Sequence, residues 1–81
     1  MTTEKPMLPL NKCIREAIES YFAHLDGHKP TKLYKLVLAE VEPPLLKAAL
    51  KYTNNNNSKA ATALGISRGT LRKLLKQYKL D

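Results

Sequence analysis

Within residues 54–81 of this 81-residue chain, small, turn-forming and apolar residues recur at intervals that suit two short helices crossed at a steep angle. Counted from Asn57, Ala61 stands fifth, Gly65 ninth, Ile66 tenth, Leu71 fifteenth and Leu74 eighteenth. A helix-turn-helix needs a small side chain where its second helix crosses the first, and a turn residue that tolerates positive φ. Apolar residues must then lock the second helix in place. That arrangement turns Ser67, Arg68, Thr70, Arg72, Lys73 and Lys76 outward, and a polar, cationic helix start of this kind suits a major groove.

Charge follows the same division. Residues 1–53 hold eight Lys/Arg against six Asp/Glu, and residues 54–81 hold six against one, so most of the net +7 lies in the last third. A phosphate-binding module concentrates cations in this way. The chain has no acid–base pair beside a nucleophile and no Gly-rich phosphate loop. An enzyme is therefore not expected, and neither is a cofactor or small-molecule ligand.

Other polar residues have structural readings. The single cysteine, Cys13, lies within an apolar stripe of Leu10, Ile14, Ala17, Ile18, Tyr21, Phe22 and Leu25 and is expected to pack. His24 and His28 would share one face of a continuous helix, but Asp26, Gly27 and Pro30 interrupt it, so no metal site is expected. No apolar run reaches the roughly 20 residues of a membrane span. Residues 1–9 lack the basic start and apolar stretch of a signal peptide, which leads to a cytoplasmic expectation without membrane partners.

The pattern divides the chain into a disordered tail over 1–9, helices A and B over 10–53, and the helix-turn-helix unit over 54–81. Helix A is expected over Leu10–Leu25, with Gly27 a helix stop and Thr31 an N-cap for helix B. Helix B is expected from Lys32 to Tyr52, with Leu33, Leu36, Val37, Leu38, Val41, Leu45, Leu46, Ala48, Ala49 and Leu50 spread over more than one stripe. So wide an apolar surface on a small chain calls for a second subunit. Pro43 and Pro44 predict a kink, or two helices with a break near Glu42. The run Asn54–Asn57 suits a turn, with Asn56 or Asn57 capping the third helix and turning its N-terminus toward a phosphate.

In the fourth helix, Arg68 stands where a guanidinium can reach the O6 and N7 of guanine, and Lys73 is the second group for base edges. Thr70, Arg72 and Lys76 suit phosphate contacts. Two such helices in a dimer would require a degenerate palindrome with a guanine in each half.

The stretches YFAHLDG, LYKLVLAEVE and SRGTLRKLLKQY closely resemble the factor-for-inversion-stimulation (Fis) family of small bacterial nucleoid proteins. The likeness runs from about Leu10 to Asp81. The same recognition unit closes nitrogen-regulator-type sigma-54 activators. The resemblance implies an all-α fold with four helices per subunit, the first two intertwined with a partner's in a homodimer, and a helix-turn-helix at each end. It implies backbone contacts at Asn56 and Ser58 and a base-reading arginine at Arg68. It places larger polar residues at Ser67, often lysine at Leu74 and Gln77, and a basic residue and a glycine at Asn54 and Asn55. An altered base preference near Ser67 and weaker phosphate binding are expected.

The function implied is binding and bending of double-stranded DNA at sites with A/T-rich centres, for nucleoid organisation and transcriptional regulation. In that family a mobile β-hairpin arm ahead of the first helix activates invertases. Residues 1–9, with Pro6 and Pro9, are too few for it, so invertase activation is not expected. Two alternatives remain at this stage: a DNA-targeting module of a sigma-54-type activator, and a basic membrane- or RNA-binding protein.

Overall fold

The computed structural model describes residues 9–81. The tail and arm expectations for residues 1–8 lie outside the described residues. The chain is all-α, with helices α1 (Leu10–Ala23), α2 (Leu33–Tyr52), α3 (Asn57–Leu64) and α4 (Arg68–Gln77). It divides into two compact units, split between Thr31 and Lys32.

The first unit is built on α1. Pro9 precedes it with φ −66°, and its carbonyl accepts the Cys13 N–H at 3.2 Å. Ile14, Ile18 and Tyr21 recur at helical spacing and are half-buried, while Leu10 and Phe22 are 49% and 45% exposed. No residue of this helix is buried. Cys13 is exposed, so the expected packing of its thiol is not found within the single chain.

The helix ends two residues earlier than the periodicity predicts. The His24 N–H is shared by the Ser20 and Tyr21 carbonyls, both at 3.2 Å, and its Nδ1 lies 2.7 Å from the Ser20 oxygen. These bonds use two of the last four carbonyls of the helix. Asp26 and Gly27 then take positive φ (53° and 83°), reversing the chain at the expected stop.

In the second unit α2 begins at Leu33. Lys32, not Thr31, occupies the cap position, in a left-handed conformation (φ 54°) and without a side-chain cap bond. The first helical bond runs from the Leu36 N–H to the Lys32 carbonyl at 3.0 Å, which sets the cap position one residue beyond the threonine.

Helix α2 is one continuous helix through Pro43 and Pro44, so of the two expectations, a kink or a break near Glu42, the break does not occur. The prolines deprive the Ala39 and Glu40 carbonyls of their i+4 donors. Both residues are exposed, so water can satisfy those carbonyls, and Leu46 begins the buried packing within the next turn. A helix packed within a turn of a defect need not break there.

The core consists of Leu46 from α2, Ala60 and Ala61 from α3, and Leu71 and Leu75 from α4, all 0–4% exposed. Ala49, Leu50, Leu64, Ile66, Leu74, Tyr78 and Leu80 pack around it. Only Leu46 of the 20 residues of α2 is buried. Tyr34, Leu36, Leu45 and Tyr52 stay 47–85% exposed, so the wide apolar surface of this helix remains largely uncovered in one chain.

Candidate nucleic-acid interface

Three successive helix ends are shaped by the same backbone device. After α2, the Asn55 N–H reaches back to the Leu50 carbonyl at 2.7 Å and the Asn54 N–H to Lys51 at 3.2 Å. After α3, Ile66 bonds to Ala61 at 3.0 Å and Gly65 to Thr62 at 3.1 Å. After α4, Leu80 bonds to Leu75 at 2.7 Å and Lys79 to Lys76 at 3.1 Å. Each pair is a Schellman closure, with a left-handed residue at Asn54 (φ 55°), Gly65 (φ 76°) and Lys79 (φ 57°).

The asparagine run makes the first closure. Asn54 and Asn55 both have positive φ, a conformation their short polar side chains tolerate. Asn56 then turns extended and its Oδ1 accepts the Lys59 N–H at 3.0 Å, so Asn56, not Asn57, caps α3. Asn57, Ser58 and Lys59 form the exposed first turn.

Gly65 makes the central turn, as its place in the pattern predicts. Ser67 follows as the N-cap of α4, its Oγ accepting the Thr70 N–H at 3.0 Å and lying within hydrogen-bond distance of Thr70 Oγ1, at 2.9 Å. Ala61 is buried at the position where a small residue was required, and Leu71 faces the same core while Ile66 and Leu74 lie half-buried at its edge.

The other side of α4 is polar. Arg68, Arg72 and Lys76 follow one another at intervals of four and therefore share a face, and Lys73 stands beside them, three residues before Lys76. All four cations, with Ser67 and Thr70, are exposed. The structure thus brings Ser67, Arg68, Thr70, Arg72, Lys73 and Lys76 together on α4, and places Asn56 and Ser58 apart from them at the start of α3. Such a surface can donate hydrogen bonds to phosphates and to acceptors on base edges. Among the described residues no group of three or more His, Cys, Asp or Glu could hold a metal ion.

A sequence profile of the Bacterial regulatory protein, Fis family, matches residues 37–78, just over half of the chain. The DNA-binding protein Fis of Psychromonas ingrahamii is 56% identical over 70 residues, which cover 86% of this chain and 71% of that protein. The chain belongs to the Fis family. The DNA-binding protein Fis of Vibrio cholerae is 49% identical over 73 residues, 90% of this chain and 74% of the relative, a span long enough to take in α1 as well as the helix-turn-helix.

The Fis profile begins within α2 and ends at Tyr78, so it includes both prolines, the core and the polar face of α4. Ala60, Leu75 and Tyr78 are support residues that the reading of the sequence missed. Leu75 carried a signal, standing four residues after Leu71, and Ala60 adjoined the small residue already singled out. Tyr78 carried none, because its partner, Glu42, lies 36 residues away.

Proposed function

We propose that this Fis-family chain is a DNA-binding and DNA-bending nucleoid-associated regulator that acts as a homodimer. Residues 10–53 serve dimerisation and residues 54–81 bind DNA. The observation that carries this reading is the cationic face of α4 opposite the Leu71 and Leu75 anchors, behind a capped, exposed helix start. It suits a recognition helix lying in a major groove. The names of its relatives, which are DNA-binding proteins, favour the same reading over a basic membrane binder. No helix among the described residues is long and apolar enough to cross a membrane.

Arg68 and Lys73 contact base edges, with Ser67 beside them at the helix start. Thr70, Arg72 and Lys76 contact phosphates from α4, and Asn56 and Ser58 do so from the start of α3. The homodimer is supported by the uncovered apolar residues of α1 and α2, among them Leu10, Phe22, Leu36 and Leu45. Its two recognition helices read a degenerate palindrome with a guanine in each half, and an A/T-rich centre that bends easily is preferred. No chemistry is required of the protein; the product is bent DNA.

Binding of single variants to duplexes with and without the guanines tests this. Arg68→Ala should erase the guanine preference at a cost of about 1–3 kcal/mol, whereas Lys76→Ala should weaken all duplexes alike and lower the salt slope by about one. A guanine preference that survives Arg68→Ala would contradict the assignment.

A further inference from the structure

Glu42 of α2 and Tyr78, the residue after α4, are joined by a hydrogen bond from the phenol to the carboxylate. Every other side-chain hydrogen bond of the described residues spans three or four residues of chain, whereas this one spans 36. Glu42 precedes the buried Leu46 by four residues, and Tyr78 follows the buried Leu75 by three. Each partner therefore lies on the core-facing side of its own helix, about one turn along from the core. Beside the pair, α2 and the end of α4 border an open groove of about 530 Å³, with Tyr34 and Ala39 on one wall and Gln77 on the other. These three residues are exposed, so apolar packing does not close the gap that the bond crosses.

Apolar packing alone leaves crossing angles a scatter of about 15–20°. Arg68 stands seven residues before Leu75, about 10 Å along the helix, so a swing of that size about the core moves it by roughly 2–3 Å. That is comparable with the length of a hydrogen bond. A second contact, one turn from the first on both helices, removes the swing. We infer that Glu42 and Tyr78 are a positioning pair, whose bond fixes the angle of α4 against α2 and thereby the spacing of half-sites that the dimer accepts. This rests on the proposed docking of a homodimer on DNA, with α2 in the dimer and α4 in the groove. The pair acts through α4 and makes no DNA contact of its own.

The test is binding of the whole chain to duplexes that keep the guanine of each half-site while the centre is lengthened or shortened one base pair at a time. Binding is read at a temperature at which circular dichroism shows each variant folded. The unaltered protein should prefer one spacing over its neighbours. Tyr78→Phe removes the donor and keeps the ring, and it should narrow that ratio by about threefold to tenfold, the range open to one lost hydrogen bond. Glu42→Ala removes the acceptor and leaves Tyr78 in place, and it should narrow the ratio as much. Glu42→Gln retains an acceptor of the same size and should preserve the ratio. The guanine preference within each half-site should survive in all three. Affinity that falls equally at every spacing would mark the pair as merely structural and overturn the inference. So would an unchanged ratio in Tyr78→Phe and Glu42→Ala, or a Glu42→Gln protein that behaves as Glu42→Ala does. If the unaltered protein has no preferred spacing, the docking reading itself fails; if it has one that no variant alters, only the positioning pair fails.

Discussion

The phenol of Tyr78, just past the last turn of α4, donates a hydrogen bond to the Glu42 carboxylate of α2. The pair joins the far end of α4 to the proline-bearing turn of the longest described helix, and both residues are half-buried. Accepting carboxylate, burial and negative charge, in that order, push the Tyr78 phenol above its ordinary value of 10.0. Each of them disfavours the phenolate.

A raised pKa in the folded state fixes the sign of the pH dependence. The stabilisation is fully present below the ordinary tyrosine pKa and is lost as pH rises through the folded value. Thermal melts from neutral pH to pH 11 should therefore show a steeper alkaline decline for the unaltered protein than for Tyr78→Phe. Tyr78→Phe should also melt lower at neutral pH. Parallel alkaline declines would show that the pair contributes nothing.

Gly65 supplies backbone freedom and nothing else. Its φ is 76°, and a Cβ built there meets no atom within 4 Å. Gly65→Ala should cost about 1–2 kcal/mol from left-handed strain alone, and Gly65→Asn less, as read from denaturant midpoints. Lys79 holds the equivalent place after α4 with a side chain attached, so Lys79→Gly should stabilise by about 1 kcal/mol. Gly69 has ordinary helical backbone and only Ser67 Oγ, at 3.9 Å, near its missing Cβ, so Gly69→Ala should stabilise by about 0.5–1 kcal/mol.

Leu71 is 0% exposed at the crossing of α3 and α4. Leu71→Ala should cost about 2–5 kcal/mol, a large share of the stability of so small a domain. Chemical denaturation followed by helical circular dichroism would measure it. A cost below 1 kcal/mol would mean that the crossing is held elsewhere.

Phe22 distinguishes a single chain from a dimer. At 45% exposure its replacement by alanine should alter an isolated chain by only about 0.5 kcal/mol, but by about 3–5 kcal/mol if a second copy covers the ring. The proposed homodimer predicts the larger loss, together with a melting temperature that rises with protein concentration. A small loss and a concentration-independent melt would contradict it.

The helix-turn-helix was legible because its constraints are local. Ala61, Gly65 and Leu71 act within a short window, and their residue types announce a crossing, a left-handed turn and an anchor. The loop between α1 and α2 was half-legible: Gly27 marked the reversal, but Lys32 took the cap position although a lysine has no acceptor to offer. Proline propensity also misled in part, since the cost at Pro43 and Pro44 is local while the packing that keeps α2 continuous, at Leu46, lies a few residues on. The Lys79 closure and the Tyr78–Glu42 bond were hidden, the first because lysine does not signal positive φ and the second because nothing in sequence joins residues 36 apart.

Binding to two duplexes that share a guanine in each half-site but differ in their centres, one A/T-rich and one G/C-rich, across a salt series, tests the proposed function most directly. Tighter binding to the A/T-centred duplex, with affinity falling steeply as salt rises, is the expected result for a dimer that reads bases through α4 and shape through bending. Equal and weak binding to both would contradict it and leave only a nonspecific polycation.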